Sequence, residues 1–364
     1  MEAQGIDAIL LHSIENIYYA TGFVCSTPYH IEEPYLLLLP REGERIFLSR
    51  RTDEPFISTQ PPAKEIRYYG PSFADDSYEL EYPDAMAALV ASLNDRNLGN
   101  KKIATELNKF PAFFFDKIKH KFPKVILTDA KPLLDTFRYR KTAEEIRRMK
   151  EGVKITEVAI RGVIDSIREG VSEAELLAAF RSSLAASGAE TKHAFIGGGQ
   201  NNPISLPRPT RPSKTRLKRG DLVRLDLGAI FKDYCTDISR TVVIGKPSNR
   251  QLEIYRALEN AQEAAFDALE PGRKCKEIYA AALSKLQEKG LGIPNIGHSI
   301  GLESPEPPEI NADCEQLIEP NTVFAIEMFY FKQGFAGFQL EDMGVVTSKG
   351  FEKLTTLESH LISR

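Results

Sequence analysis

The C-terminal part of the sequence repeats one order of secondary-structure elements, and this repeat limits the folds that the chain can adopt. In each repeat, two stretches with the helical spacing of apolar residues precede two extended, apolar runs joined by a short turn. The repeats share this order but no sequence identity. We therefore predict two similar units, each a helix pair followed by a β-hairpin, related by a pseudo-two-fold axis. The predicted helices cover 142–170, 172–188, 248–269 and 274–290, and the predicted strands cover 221–231, 234–245, 323–331 and 335–346.

The N-terminal part has a different pattern, in which buried strands alternate with an amphipathic helix. This pattern predicts an α/β domain with a mixed sheet. A polar, basic segment, 137–142 (FRYRKT), follows it and precedes the repeats. We place the boundary there and predict an N-terminal domain of residues 1–136 and a C-terminal domain of residues 137–364. The predicted N-terminal strands cover 6–11, 35–39, 45–49, 102–105 and 125–127, and the helix covers 84–93.

The charge and hydropathy of the chain exclude several classes of function. Its formal net charge is -4 and its sequence pI is near 6.0, so no overall attraction to nucleic acid or to an anionic membrane is expected. No run approaches the roughly 18 apolar residues of a membrane span. The four cysteines lie far apart and form no CxxC pair, which is typical of a reducing compartment. We expect a cytoplasmic protein without a membrane or nucleic-acid partner.

Four carboxylates lie in the apolar hairpin strands, where acids are uncommon. Asp226 lies in LVRLDL, and Asp237 follows it on the returning strand. Glu327 lies in VFAIEM, and Glu341 follows FQL. A fifth residue, His298, lies in the small-residue turn IGHSIG, which can direct an imidazole into the same region.

These five residues together predict a metal site, although each alone has an ordinary structural explanation. A lone aspartate can cap a turn, and a lone histidine is more often a satisfied core or loop residue. Carboxylates that meet in an apolar setting, however, repel one another unless a cation lies between them. Four carboxylates and one imidazole form an oxygen-rich site that suits a pair of divalent ions, with Mn, Co, Fe or Zn as candidates.

Six segments of the chain resemble peptidase family M24, the creatinase, prolidase and methionine aminopeptidase ("pita-bread") family, and in particular its Xaa-Pro dipeptidase and aminopeptidase P branch. The resemblance covers nearly the whole chain and implies a fold of the α/β (α+β) class. That fold joins a creatinase-like N-terminal domain to a pita-bread catalytic domain. The segments are GIDAILLHSIENIYYATGF, FRYRKTAEEIRRM, RGDLVRLDLGAIFKDYCTDISRTVVIG, GHSIGLE, VFAIEM and FQLEDMGVVT.

The resemblance also implies a reaction and a role for each of the five residues. It implies that Asp226 and Asp237 hold one divalent ion and that the catalytic residue His298 completes the second. It also implies that Asp237 or its neighbour bridges the pair, together with Glu341. Glu327 is implied as both a ligand and the general acid/base for a metal-bridging hydroxide. The reaction is cleavage of the peptide bond before proline in short peptides. Mn or Co is expected before Zn or Fe, and a homodimer is expected.

Several positions depart from the pattern of that family. Its usual Pro-His motif before the first metal segment is Pro207-Arg208 here, and a second histidine after the GHGIGL-type segment is Pro305. The arginine two positions before the last glutamate is Gln339, and the Pro-Gly after the first glutamate is Met328-Phe329. The replaced histidines normally contact substrate or the developing oxyanion. We predict Arg208 and Gln339 as substrate-binding residues.

Two other functions stay open at the level of sequence. The first is a non-peptidase member of the family that hydrolyses or lyses a small C–N or C–S compound, because Arg208 and Pro305 replace the usual histidines. The second is a non-catalytic pita-bread binding module. The complete set of five ligand positions argues against this second alternative.

Overall fold

Two separate β-sheets organise the chain in the computed structural model, one in each of two units, Met1–Phe137 and Arg138–Arg364. The structure describes residues 1–25, 33–71, 80–203 and 212–364. Within these ranges, no helix has both the length and the apolar character needed to cross a lipid bilayer.

The first unit is a mixed sheet with helices, as the sequence predicts, and its described residues form six strands where five are predicted. Its strands are β1 (Ala8–Leu11), β2 (Leu36–Pro40), β3 (Ile46–Arg50), β4 (Glu65–Tyr69), β5 (Lys102–Thr105) and β6 (Ile126–Asp129). Its helices are α1 (Ile14–Thr21), α2 (Glu54–Ile57), α3 (Ala85–Asp95), α4 (Ala112–Lys121) and α5 (Lys131–Tyr139). The strand order is β4-β3-β2-β1-β5-β6, with β1 parallel to β5 and antiparallel to β2.

The apolar run of β1 explains why the sheet is covered on both faces. Ala8 and Leu10 pack into one hydrophobic cluster, whereas Ile9 and Leu11 pack into another. Alternate residues of a strand point to opposite faces, so a continuous apolar run is stable only between two apolar layers. Strand β4 has no such apolar run, since it carries Glu65 and Arg67, which form an ion pair. The sequence patterns therefore do not predict this strand.

In its described residues, 138–203 and 212–364, the second unit combines four α-helices with ten strands. Its helices are α6 (Ala143–Ser166), α7 (Glu173–Ala186), α8 (Asn249–Ala268) and α9 (Cys275–Gln287). Its strands are β7 (Glu190–Gly198), β8 (Leu222–Phe231), β9 (Tyr234–Cys235), β10 (Ile238–Val243), β11 (Asn295–Ser299), β12 (Glu306–Asn311), β13 (Val323–Lys332), β14 (Ala336–Thr347), β15 (Gly350–Lys353) and β16 (Ile362–Ser363).

Capping boxes begin the helices where the sequence predicts them. The Thr142 hydroxyl accepts from the backbone N–H of Glu145, whose side chain accepts from the backbone N–H of Thr142, and Ser172 and Glu175 form the same reciprocal pair. Helix α6 ends at Ser166 and not at the predicted Gly170. It ends earlier because Ile167 takes an extended backbone (ψ 120°) and packs into the core.

The sheet of the second unit has the predicted pseudo-two-fold order. The strand order is β12-β11-β13-β14-β10-β8-β7, so β14 and β10 lie side by side at the centre. The β13–β14 hairpin extends from one side of this pair, and the hairpin of β8 and β10 extends from the other. The inner strands of the two repeats are therefore neighbours, and residues near their centres can meet on one face.

The sequence suggests that the basic segment 137–142 is a simple polar connector, but in the structure it is partly helical and partly buried. Its first three residues end helix α5, and Arg138 and Lys141 are buried. Both basic side chains form ion pairs with Glu306, which is itself 5% exposed; the Lys141 Nζ to Glu306 Oε2 distance is 3.1 Å. Arg138 also pairs with Glu303 at 2.8 Å. The segment is basic because it supplies the counter-charges of a buried carboxylate.

We expect Glu306→Gln to lower the free energy of unfolding by about 3–5 kcal/mol at neutral pH, because it leaves buried cations without this partner. Burial opposes ionisation of Glu306, but Lys141 and Arg138 outweigh it and lower its pKa. A carboxylate with a lowered pKa in the folded state stabilises the fold above its unfolded pKa of about 4.3, and this contribution is lost as the pH falls. The difference between the wild type and Glu306→Gln should therefore narrow in acid.

Urea unfolding of the wild type and Glu306→Gln measures this difference in unfolding free energy. The measurements are made at neutral pH and at several pH values down to below the unfolded pKa. Glu315→Gln is the matched control, because Glu315 pairs with Lys274 and Lys276 on the exposed surface. It should change the unfolding free energy little. A difference for Glu306→Gln that stays constant with pH would contradict the assignment.

Candidate metal centre

Four residues on four adjacent strands form one row across the middle of the second sheet. Asp226 on β8 pairs with Ser239 on β10, Ser239 pairs with Glu341 on β14, and Glu341 pairs with Glu327 on β13. Directly opposed residues of a sheet place their side chains on the same face. The register therefore brings three carboxylates together. Within the row, the Ser239 hydroxyl donates a 2.8 Å hydrogen bond to Glu341 Oε2.

Asp237 and His298 join this row from its two sides. Asp237 lies between β9 and β10, and its Oδ2 accepts a 2.6 Å hydrogen bond from the Ser304 hydroxyl. His298 lies on β11, with Nε2 at 3.8 Å from Asp237 Oδ2. The other ring nitrogen, Nδ1, donates to the carbonyl oxygen of Ser299 at 2.9 Å. This bond fixes the tautomer, so Nε2 keeps its lone pair for a metal ion.

A second histidine, His193, also lies in the site, and the sequence patterns do not predict it. Its Nε2 is 3.0 Å from Asp226 Oδ1 and 3.0 Å from Asp237 Oδ1. His193 lies on β7, a strand that the sequence analysis does not predict and that ends with Gly197 and Gly198. The available signal was the alternation that puts His193, Phe195 and Gly197 on one side of a strand.

Gln339 holds two of the acids in place. It is fully buried, and its Nε2 donates to Asp226 Oδ2 at 2.8 Å and to Glu327 Oε1. Its Oε1 accepts from the Arg224 guanidinium at 2.8 Å, and because a guanidinium only donates, this bond sets the orientation of the amide. Gln339 therefore positions the carboxylates, and its predicted contact with substrate stays a prediction. The other predicted substrate residue, Arg208, lies outside the described residues.

Burial and mutual repulsion oppose a negative charge on both glutamates of this site. Burial, together with the negative charges of Asp226 and Asp237, raises the pKa of Glu327 to about 8. Burial likewise raises the pKa of Glu341 well above its ordinary range. For Asp237, the attraction of His193 outweighs burial, and its pKa is lowered. Divalent ions would supply the positive charge that lets the glutamates ionise.

The donor atoms fit divalent ions in two overlapping groups of three. One group is His193, Asp226 and Asp237, and the other is Asp237, His298 and Glu341; in each, one donor atom per residue lies within 4.8 Å of the others. Asp237 belongs to both groups, so the two positions are adjacent. Oδ1 of Asp237 is buried and, within the part of the chain that the structure describes, lacks a hydrogen-bond partner. Glu327 belongs to neither group but is the cross-strand partner of Glu341.

All five residues predicted as metal ligands are thus together in one region of the fold. Asp226, Asp237 and Glu341 are buried, and the side chain of His298 is 15% exposed. Pro305 lies next to the site, because the preceding residue, Ser304, bonds to Asp237. The arrangement combines hard oxygen donors, imidazole nitrogens and a glutamate whose pKa burial raises.

Two family models match the chain. Residues 147–348, more than half of it, match metallopeptidase family M24, and residues 1–140 match the creatinase/prolidase N-terminal domain. A curated Xaa-Pro dipeptidase of Pyrococcus furiosus is 35% identical over 236 residues, which cover 63% of this chain and 67% of that protein. The Xaa-Pro dipeptidase of Pyrococcus horikoshii is 28% identical and covers 100% of this chain and 96% of its own length.

Solved structures agree with these sequence matches. A recombinant prolidase from Thermococcus sibiricus has a TM-score of 0.88 against this chain. The two are 25% identical, and the match covers 100% of this chain and 96% of that one. The match spans both units, and the carboxylate cluster lies within the segment that matches the peptidase family. The chain therefore belongs to metallopeptidase family M24 and is a metal-dependent hydrolase with the prolidase fold.

Proposed function

We propose that this protein cleaves the peptide bond before proline in short peptides, with two divalent ions held between its carboxylates. The observation that carries the proposal is the position of Asp237, which belongs to both groups of donor atoms. A carboxylate shared in this way is suited to two ions at adjacent positions. The curated relatives named as Xaa-Pro dipeptidases support the choice of the bond before proline.

The residues proposed to hold the ions are Asp226, Asp237, His298, Glu327 and Glu341. When bound, the ions would lower the pKa of the attacking water and stabilise negative charge on the substrate carbonyl oxygen. Mn or Co is proposed before Zn or Fe. The homodimer and the cytoplasmic location stay predictions.

Glu327 is proposed to move the proton that the hydrolysis requires. The attacking water adds its oxygen to the carbonyl carbon and loses a proton, while the proline nitrogen gains a proton as the C–N bond breaks. One carboxyl group can perform both transfers if its pKa lies near the working pH. Glu327 fits this role because its carboxyl group lies beside Glu341 in the row of acids and Gln339 holds one of its oxygens in place.

The proposal predicts metal-dependent cleavage of Xaa-Pro dipeptides by protein that has been stripped of metal and reloaded with Mn²⁺ or Co²⁺. The panel should include Xaa-Pro-Xaa tripeptides and peptides without proline. We expect Glu327→Gln to lower kcat by about 10²–10⁴-fold, because an amide cannot transfer the proton. Glu263→Gln, at an exposed glutamate on helix α8, is the matched control and should keep the wild-type rate.

Cleavage of proline-free peptides at the same rate, or no cleavage by protein that holds two ions, would contradict the proposal. The second result would favour the non-peptidase candidate, a small C–N or C–S compound. That candidate draws on Pro305, which lies beside the site where the resembled family usually has a histidine.

A separate prediction concerns stability. We expect Mn²⁺ at about 100 times its Kd to stabilise the fold by about 2.7 kcal/mol per site, because the ion binds only the folded arrangement of donors. This corresponds to a rise of roughly 5–10 °C in Tm, and a chelator should reverse it. Asp237→Asn should remove most of the shift, because Asp237 belongs to both donor groups.

Differential scanning calorimetry with and without chelator measures this shift. Asp267→Asn is the matched control, because Asp267 is exposed on helix α8. An equal metal-induced shift in Asp237→Asn and in the wild type would contradict the assignment of Asp237 as a shared ligand.

A further inference from the structure

We propose that His193 is a ligand of one of the two ions, so that each ion has one imidazole ligand. The inference rests on the proposed function, because it adds a sixth residue to the proposed two-metal centre. It assigns His193 to the ion beside Asp226 and Asp237, and His298 to the ion beside Glu341. The side chain of His193 is 15% exposed, so an ion can be reached from solvent.

The spacing of three atoms supports a ligand role for His193. Nε2 of His193 lies 3.0 Å from Oδ1 of Asp226 and 3.0 Å from Oδ1 of Asp237. Ligands that bind one ion at about 2.1 Å in octahedral geometry lie about 3.0 Å from their neighbours. The three atoms therefore already have the mutual spacing of neighbouring ligands on one ion.

Hydrogen bonding alone does not account for this arrangement. Nε2 is in hydrogen-bond contact with Asp226 Oδ1, and one N–H cannot align well with a second acceptor in another direction. Oδ1 of Asp237 lies at the same distance from Nε2 in an ion-pair contact, yet it is buried and forms no aligned hydrogen bond with the described residues. A cation held between this oxygen and Nε2 would bind both atoms directly.

The symmetry of the sheet places the two histidines on equivalent strands. His193 lies on β7, the outer neighbour of the strand that carries Asp226, and His298 lies on β11, the outer neighbour of the strand that carries Glu327. Each histidine pairs with a small residue two positions from that acid, Gly228 for His193 and Ala325 for His298. A small partner lets each imidazole extend over it toward the centre of the row.

Gly228 and Phe195 hold the His193 imidazole in this position. A Cβ atom at Gly228 would lie 2.3 Å from His193 Cε1 and 2.5 Å from the carbonyl oxygen of Thr236, so only glycine leaves room for the ring. The Phe195 ring stacks on the imidazole with centroids 5.3 Å apart and an interplanar angle of 25°. The β-bulge between Thr191 and His193 changes the register just before the histidine, as bulges beside active sites often do.

The experiment compares metal-stripped wild type, His193→Ala and His360→Ala, with Co²⁺ as the probe. His360 is the matched control, because its side chain is 64% exposed. Calorimetric titration should show two ions bound by the wild type and by His360→Ala. In His193→Ala, one of the two ions should bind at least about 10–100-fold more weakly. X-ray absorption of the wild type loaded with two equivalents of Co²⁺ should show scattering from two imidazoles for each pair of ions.

Each result decides for or against the inference. Scattering from only one imidazole per pair of ions in the wild type overturns it, whether or not His193→Ala folds. Two ions bound with equal affinity by His193→Ala and the wild type overturn it and leave the proposed two-metal function standing. A wild-type protein that binds no Co²⁺ overturns both. Weakened binding in His193→Ala together with two imidazoles in the wild type establishes the ligand role.

Discussion

Electrostatic repulsion among buried carboxylates is the constraint on which the second unit of this protein depends. The hairpins of the two repeats meet at β10 and β14, and their register places Asp226, Glu341 and Glu327 in one row of the sheet. Without a cation, burial and mutual repulsion raise the pKa of both glutamates. The fold therefore brings together carboxyl groups that repel one another when ionised. Divalent ions relieve this repulsion, so the site should bind them tightly.

Hydrogen bonds and an ion pair from neighbouring residues fix the positions of the carboxylates despite this repulsion. Arg240 is fully buried behind the row, and its guanidinium donates to the backbone carbonyl oxygens of Ser239 and Glu341 and forms an ion pair with Asp342. On the side of the site, Gln339 binds Asp226 and Glu327 with one amide. These bonds fix both backbone and side chains, so that the carboxylates are positioned before any ion arrives.

Much of this arrangement could be predicted from the sequence because it depends on local patterns. Capping residues such as Thr142 and Ser172 mark helix starts, and acids in apolar strands are conspicuous at Asp226 and Glu327. His193 could not be predicted in this way. Its strand begins with polar residues, and the alternation of His193, Phe195 and Gly197 marks one side of that strand but not what it faces. The approach of His193 to Asp226 depends on a bulge and on the absence of a side chain at Gly228. Gln339 was visible in sequence only as a departure from a family pattern; its bonds depend on cross-strand register.

The central claim is that one shared carboxylate, Asp237, joins two adjacent metal positions. Diffraction from crystals grown with Mn²⁺, recorded at a wavelength where manganese scatters anomalously, tests this claim directly. The account predicts two anomalous peaks, both in contact with Asp237, one beside Asp226 and the other beside His298 and Glu341. A single peak, or peaks that do not share Asp237, would contradict it.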